Sequence, residues 1–234
     1  FLFAESLQDK IRRFRDERLG RIIAGEMPLA IIASYSRLVL HIVPLISYSP
    51  GFNIDIQKVS SYIELLRPMG ENGGWTPQFN LDGFITYSGF NSTTAISYCQ
   101  LLRAGQIESV YANIESNRGA DRFVKVMEKE ILESIKTYTE TLKLLEINPP
   151  MIIMLSFIGI NATRLNVYQG GYTVENSEPI RHDNIILPDV LLEEHTQNIA
   201  EIAKIMHPAF DTFWNAYGLP KSINYDDNGN WNPR

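Results

Sequence analysis

The apolar positions of this chain change period several times, and each change marks an element. Between residues 4 and 24, Leu7, Ile11, Phe14 and Ile22 recur at helical spacing, with Gly25 placed to cap the helix and Pro28 to stop it. RLVLHIVPL (37–45) is strand-like and ends on Pro44 and the turn-rich SYSPG. IDIQKVSSYIELLRP (54–68) reads as a short helix ending before Pro68, and MGENGGWTPQFN as an irregular loop. LDGFITYSG (81–89), AISYCQLLR (95–103) and QIESVYANI (106–114) are strands joined by short links, which requires an antiparallel meander.

Residues 121–147 carry the most regular helical stripe: Val124, Met127, Ile131, Ile135, Tyr138, Leu142 and Leu145. Lys125, Glu128, Lys129, Glu133 and Lys136 are assigned to the other faces. After Asn148-Pro149-Pro150, MIIMLSFIGI (151–160) is an apolar run of the length of a central strand buried on both faces. RLNVYQGG continues the sheet, TVENSEPIRHDN is a loop, and Ile185–Leu187 a short strand. Helices follow over 191–206 and 208–218, the second opening on Pro208 and ending at Gly218, before a turn-rich tail. The pattern predicts an α+β fold: a mainly antiparallel sheet of about five strands with packed helices. A connecting helix (1–27) precedes a single domain (28–234).

Charge changes this picture at one place. The 234 residues are 44% hydrophobic, enough for a sizeable core, and carry a net charge of -6. Six of the 21 Lys and Arg, namely Lys10, Arg12, Arg13, Arg15, Arg18 and Arg21, lie within residues 10–21 beside only Asp16 and Glu17. A basic helix therefore opens an acidic chain. It reads either as a solvated face balanced by its own acids or as a surface for phosphate or an acidic neighbour. Arg12 and Arg13 point away from the apolar stripe, whereas Arg18 falls close to it and requires a carboxylate or phosphate partner. The Phe start leads us to expect a fragment of a longer chain. FLFAES lacks the features of a signal peptide, no apolar run is long enough for a membrane span, and a cytoplasmic setting is expected.

Candidate chemistry adds little. Cys99 lies in a strand and reads as a buried thiol. His41 reads as a hydrogen-bonded core or edge residue and His207 as the residue leading into a helix. His182, Asp183, Glu193 and His195 form an acid–base or metal neighbourhood only if folding brings them together, since no HExxH spacing exists. Ser156 lacks a nucleophile elbow, GENGG (70–74) lacks a phosphate-loop ending, and Asp226, Asn228 and Asn230 begin a calcium-loop pattern that Trp231 breaks. Trp75, Asn80, Asp82 and Tyr98 are the residues from which a ligand pocket around the meander would be built. No catalytic residue, cofactor or metal ligand is assigned.

FRDERLGRIIAGEMP (14–28), LVLHIVPL (38–45), NLDGFITYS (80–88), SYCQLLRAGQIE (97–108), NPPMIIMLSFIGI (148–160), ILPDVLLEE (186–194) and FDTFWNAYGLPKSINYDDNGNW (211–231) run in order along the chain. Together they resemble the C-terminal portion of bacterial Schlafen/Alba-like (divergent AAA-associated) proteins, described as DNA-binding or ATP-binding transcriptional regulators. The resemblance implies an upstream Alba-like domain on the same polypeptide as the partner, with nucleic acid reached through that domain. It carries over no catalytic residue. The matching positions are Arg15, Arg18, Arg21 and Glu26, then Asn80, Asp82 and Gly83, then Trp214, Asn215 and Tyr225. The expectation is a non-enzymatic regulatory, sensor or interaction module, self-associating and away from membranes. Two alternatives stand beside it: a hydrolase or nuclease using His182, Asp183, Glu193 and His195, and direct nucleic-acid binding through residues 10–21.

Overall fold

The computed structural model describes residues 6–26, 30–31, 36–71, 73–91, 94–112, 121–165, 167–169, 172–174 and 178–233. The stop expected at Pro28, the residues FLFAE, Asn72 of the loop at 69–80 and parts of the turns after Gly89 and Val174 lie outside them. Three layers result, with one helix on one face of a broad sheet and two helices on the other.

Helix α1 (Leu7–Ala24) starts where Ser6 accepts a hydrogen bond from the Asp9 amide, and it ends at Gly25. Gly25 adopts φ 74°, and its amide reaches the Arg21 and Ile22 carbonyls, a left-handed cap that suits glycine. The main sheet contains β1 (Ala30–Ile31), β2 (Arg37–Pro44), β3 (Thr76–Phe79), β4 (Gly83–Asn91), β5 (Thr94–Leu102) and β6 (Ile107–Ala112). It is completed by β7 (Met151–Ile158), β10 (Asn184–Ile186) and β11 (Val190–Leu192). The spatial order is β10-β7-β2-β6-β5-β4-β3, with β11 beside β10 on the outer edge of β7 and β1 parallel to the start of β5. All other pairs are antiparallel, as the meander β4–β5–β6 requires.

The α+β class is as expected, but among the described residues the main sheet has nine strands where about five were expected, because short segments with little apolar pattern add at the edges. Residues 167–174 do not continue the sheet. They form a separate hairpin of β8 (Val167–Gln169) and β9 (Tyr172–Val174). The helix expected over 54–68 is two 3-10 turns, Ile56–Ser61 and Ile63–Leu66. Residues 190–192 pair with β7 instead of opening a helix, and the two expected C-terminal helices are one, α3 (Ile199–Ala216), with Pro208 inside it.

Strand alternation sends each face to its own partner. Leu38, Leu40, Ile42, Leu101, Leu155 and Phe157 face α2 (Asp121–Leu144) and α3 in the main core. On the opposite face, Leu19 and Ile22 of α1 pack with Val39, Ile85, Tyr98, Val110 and Ile158, and Ile11 packs with Val43 and Met154. Sandwiched between helices, β2 is buried at every position and β7 at all but Ile152. Residue 7 departs from the expected stripe, since Leu7 is exposed.

Candidate functional site

The register places Gln100, Glu108 and His41 side by side on β5, β6 and β2, facing α1. Tyr98 lies two residues from Gln100 and so on the same face. Arg18 descends from α1 onto this row and grips Glu108 with both arms: Nη2 donates to Oε1 at 2.6 Å and Nε to Oε2 at 2.7 Å. The Tyr98 hydroxyl donates to Oε1 at 2.7 Å, and His41 Nε2 donates to Oε2 at 3.0 Å. Four donors meet the four lone pairs of one carboxylate, with Glu108, His41 and Tyr98 fully buried. Burial alone would push the Glu108 carboxyl up, but the Arg18 and His41 hydrogen bonds outweigh it and hold it down at about 2. Burial likewise raises the Tyr98 phenol well above its ordinary value.

Two more contacts fasten the helix. Arg15 Nη1 donates to Asp189 Oδ1 at 2.7 Å, and Arg37 Nη1 from β2 donates to the Ile22 carbonyl at 2.8 Å, on the last turn of α1. The six basic residues thus divide. Arg15 and Arg18 turn inward onto acids, Lys10 is half-buried, and Arg12, Arg13 and Arg21 face outward, Arg13 lying 3.8 Å from Glu17.

The residues expected around the meander do not share a pocket. Tyr98 belongs to the Glu108 cluster. Asn80 shapes the β3–β4 turn, its side chain accepting from the Gly83 amide at 2.8 Å and donating to Gln100 at 2.6 Å. Gly83, at φ 148°, is required there because a Cβ would collide with the Leu101 carbonyl. The Asp82 carbonyl accepts from the Arg103 amide in the same turn. Trp75 borders a separate open cleft of about 550 Å³ with Ser60, Ser61 and Glu64.

The His182 neighbourhood is likewise divided. His182 and Asp183 precede β10 at the Ile158 end of β7, whereas Glu193 and His195 follow β11 at its Met151 end. Seven strand steps separate the two ends, roughly 23 Å at about 3.3 Å per residue. Among the described residues no group of three His, Cys, Asp or Glu is arranged to hold a metal ion. Cys99 is buried, and burial pushes its thiol far above the ordinary range. His207 does not open a helix but lies inside α3, where it stacks on Tyr225 at 3.8 Å between ring centroids.

A second buried carboxylate escaped the sequence reading. Glu128, assigned there to an outer face of α2, is fully buried. It sits four residues after Val124 and three before Ile131, hence on the apolar side. It accepts from Trp214 Nε1 (2.8 Å), Ser222 Oγ (2.8 Å) and Asn224 Nδ2 (2.7 Å). None of these donors is charged, and Asp211 lies nearby. Burial therefore prevails over the hydrogen bonds and raises Glu128 to about 7. The cluster fastens the C-terminal tail to α2 and α3, helped by the Ser222 amide donating to Asp211 at 2.8 Å and the Tyr225 hydroxyl donating to the Ala203 carbonyl at 2.7 Å.

Glu108 had one legible signal, an acid inside an expected strand of a chain whose Arg18 needs a carboxylate or phosphate partner. Glu128 had its spacing. Compared with known protein families, curated proteins and solved structures, the chain matches none.

Proposed function

We propose that this chain is a non-enzymatic regulatory or interaction module of a larger nucleic-acid-binding regulator, with α1 as the element that couples it to its neighbour. The observation that carries the reading is the buried Arg18–Glu108 pair, which keys α1 to the sheet at one rotation and one register. A helix held only by apolar contacts can slide, whereas displacing this one strands a buried charge at a cost of about 3–5 kcal/mol. Arg12, Arg13 and Arg21 are thereby displayed in a fixed orientation to the body. The strongly perturbed carboxyls among the described residues, Glu108 and Glu128, are fully buried and hydrogen-bonded to internal donors, which weighs against acid–base catalysis. The nucleic-acid context rests on the sequence resemblance.

The test pairs hydrolysis assays on duplex, single-stranded oligonucleotide and ATP with anisotropy titrations of a labelled 20-base-pair duplex between 50 and 200 mM salt. No turnover is expected, together with weak binding whose salt slope reflects about four phosphates or fewer and disappears in Arg12→Glu/Arg13→Glu/Arg21→Glu. Turnover that is lost in His182→Ala or Asp183→Ala would overturn the proposal. Tight binding untouched by the triple reversal would overturn it too.

A further inference from the structure

Glu128 stands at the junction of α2, α3 and the C-terminal tail. Its Oε1 accepts from Trp214 Nε1 on α3, and its Oε2 accepts from Ser222 Oγ and Asn224 Nδ2 in the tail. Two of the three bonds therefore belong to residues 219–233, the segment with least else to hold it. Helix α3 packs a full apolar face that includes Phe210, Phe213 and Trp214, all buried. Of the tail's larger apolar side chains only Tyr225 is buried, while Leu219, Ile223 and Trp231 are half-buried. The tail's further anchors on α3 are the Ser222 amide on Asp211, the Tyr225 hydroxyl on the Ala203 carbonyl and the Tyr225 ring stacked on His207.

These partners suit the neutral acid. All three are uncharged, and the Ser222 hydroxyl can turn to accept from a proton carried on Oε2. Removing that proton leaves a buried anion, which is costly without a cation. Among the described residues, Asp211 on α3 and Tyr225 on the tail are the titratable groups that face it. Asp211 is itself an acid, and the Tyr225 hydroxyl donates elsewhere. His207 lies 3.4 Å from Asp211 and serves that acid. Ionised Glu128 gains most by reaching water, and the tail over Oε2 is its least anchored cover.

We infer that residues 219–233 form a pH-sensitive strap, which loss of the Glu128 proton releases locally from α2 and α3 while the sheet and helices stay folded. Release withdraws Tyr225 from His207 and Phe210 and opens that side of α3 to solvent. The direction follows from linkage. Burial, helped by Asp211, holds Glu128 at about 7 with the tail closed, and hydration returns it toward its ordinary 4.5. Opening therefore sheds a proton between these values and is favoured as pH rises, the open-to-closed ratio growing about tenfold from pH 6 to pH 8. The strap lies on the face of the sheet opposite α1 and does not depend on the function proposed above.

The experiment is hydrogen exchange on the whole chain, followed by NMR from pH 6 to 8 and corrected for intrinsic rates. The Ser222 amide and the Trp214 indole N–H should exchange faster than the Ile131 and Ile135 amides of α2 at every pH. Their protection should fall about tenfold across the range and be insensitive to low urea, the mark of a local opening. In Glu128→Gln that tenfold change should fall to about one, since the amide donates to Ser222 as the acid does. The parent's Glu128 carboxyl carbon should titrate over the same range, a reading that holds whether or not the variant folds. The inference is overturned if the tail protons exchange with the rate and urea dependence of Ile131, if their protection is flat from pH 6 to 8, if the change survives in Glu128→Gln, or if the carboxyl titrates wholly below pH 6.

Discussion

Two carboxylates buried in one small protein are driven in opposite directions by what lies within hydrogen-bonding reach. Glu108 has a guanidinium held through two nitrogens and two further donors, Tyr98 and His41, and stays ionised, whereas Glu128 has three neutral donors and a nearby acid. Truncating Arg18 should therefore be severe. Arg18→Met is expected to lower unfolding free energy by about 3–5 kcal/mol in urea titrations, because Glu108 is left buried without its cation. Adding Glu108→Leu should recover only part of the loss, since Tyr98 and His41 then lose their acceptor. A double variant no more stable than Arg18→Met would show that the pair is not where the cost arises.

At the scale of elements, α1 and the C-terminal tail are each fastened by one buried acid. In α1, Gly20→Ala should raise stability by about 0.5–1 kcal/mol, read as a higher urea midpoint at unchanged slope, because the new methyl meets nothing and the helix gains propensity. The same substitution at Gly83 should be strongly destabilising, since its Cβ would strike the Leu101 carbonyl. α1, the β4–β5–β6 meander, α2 and the central strand β7 were legible in sequence because each has the full period of its type over many residues. β10 and β11 are three residues each and exist as strands only because β7 offers them an edge. Local propensity across 191–206 favoured helix, but the pairing of Val190–Leu192 with β7 took precedence. The small hairpin of β8 and β9 shows the same limit, as no period over three residues separates joining a sheet from standing beside it.

Across the whole molecule the two acids give stability a defined pH dependence. The Glu108 carboxyl is lower in the folded chain than its ordinary 4.5, so its contribution is complete above about 4.5 and is lost as pH falls toward about 2. Glu128 is higher in the folded chain, so its contribution is complete below about 4.5 and is lost as pH rises toward about 7. Over that upper window the folded state holds the extra proton, and stability should decline by about 3 kcal/mol. Thermal melts from pH 3 to 8 are expected to show this upper decline in the parent and its absence in Glu128→Gln, where the neutral amide replaces the proton. An identical slope in both proteins would remove Glu128 as its cause. Among the described residues no helix is long and apolar enough to cross a membrane.

By itself the sequence determined the class of fold, the elements with long periods and the need of Arg18 for a carboxylate or phosphate partner, because each depends on local pattern or on the chemistry of one side chain. The helical period of residues 10–21 separated Arg12 and Arg13, away from the apolar stripe, from Arg18 close to it, and left Arg15 and Arg21 unplaced. Only the tertiary structure named the partners, turning Arg15 and Arg18 inward because Asp189 and Glu108, distant in the chain, lie under the helix. Tertiary structure also placed His182 and His195 at opposite ends of β7 and paired Glu128 with the tail. Such contacts depend on strand register and helix rotation, which are set by the burial of the whole core and leave no period in the neighbouring sequence.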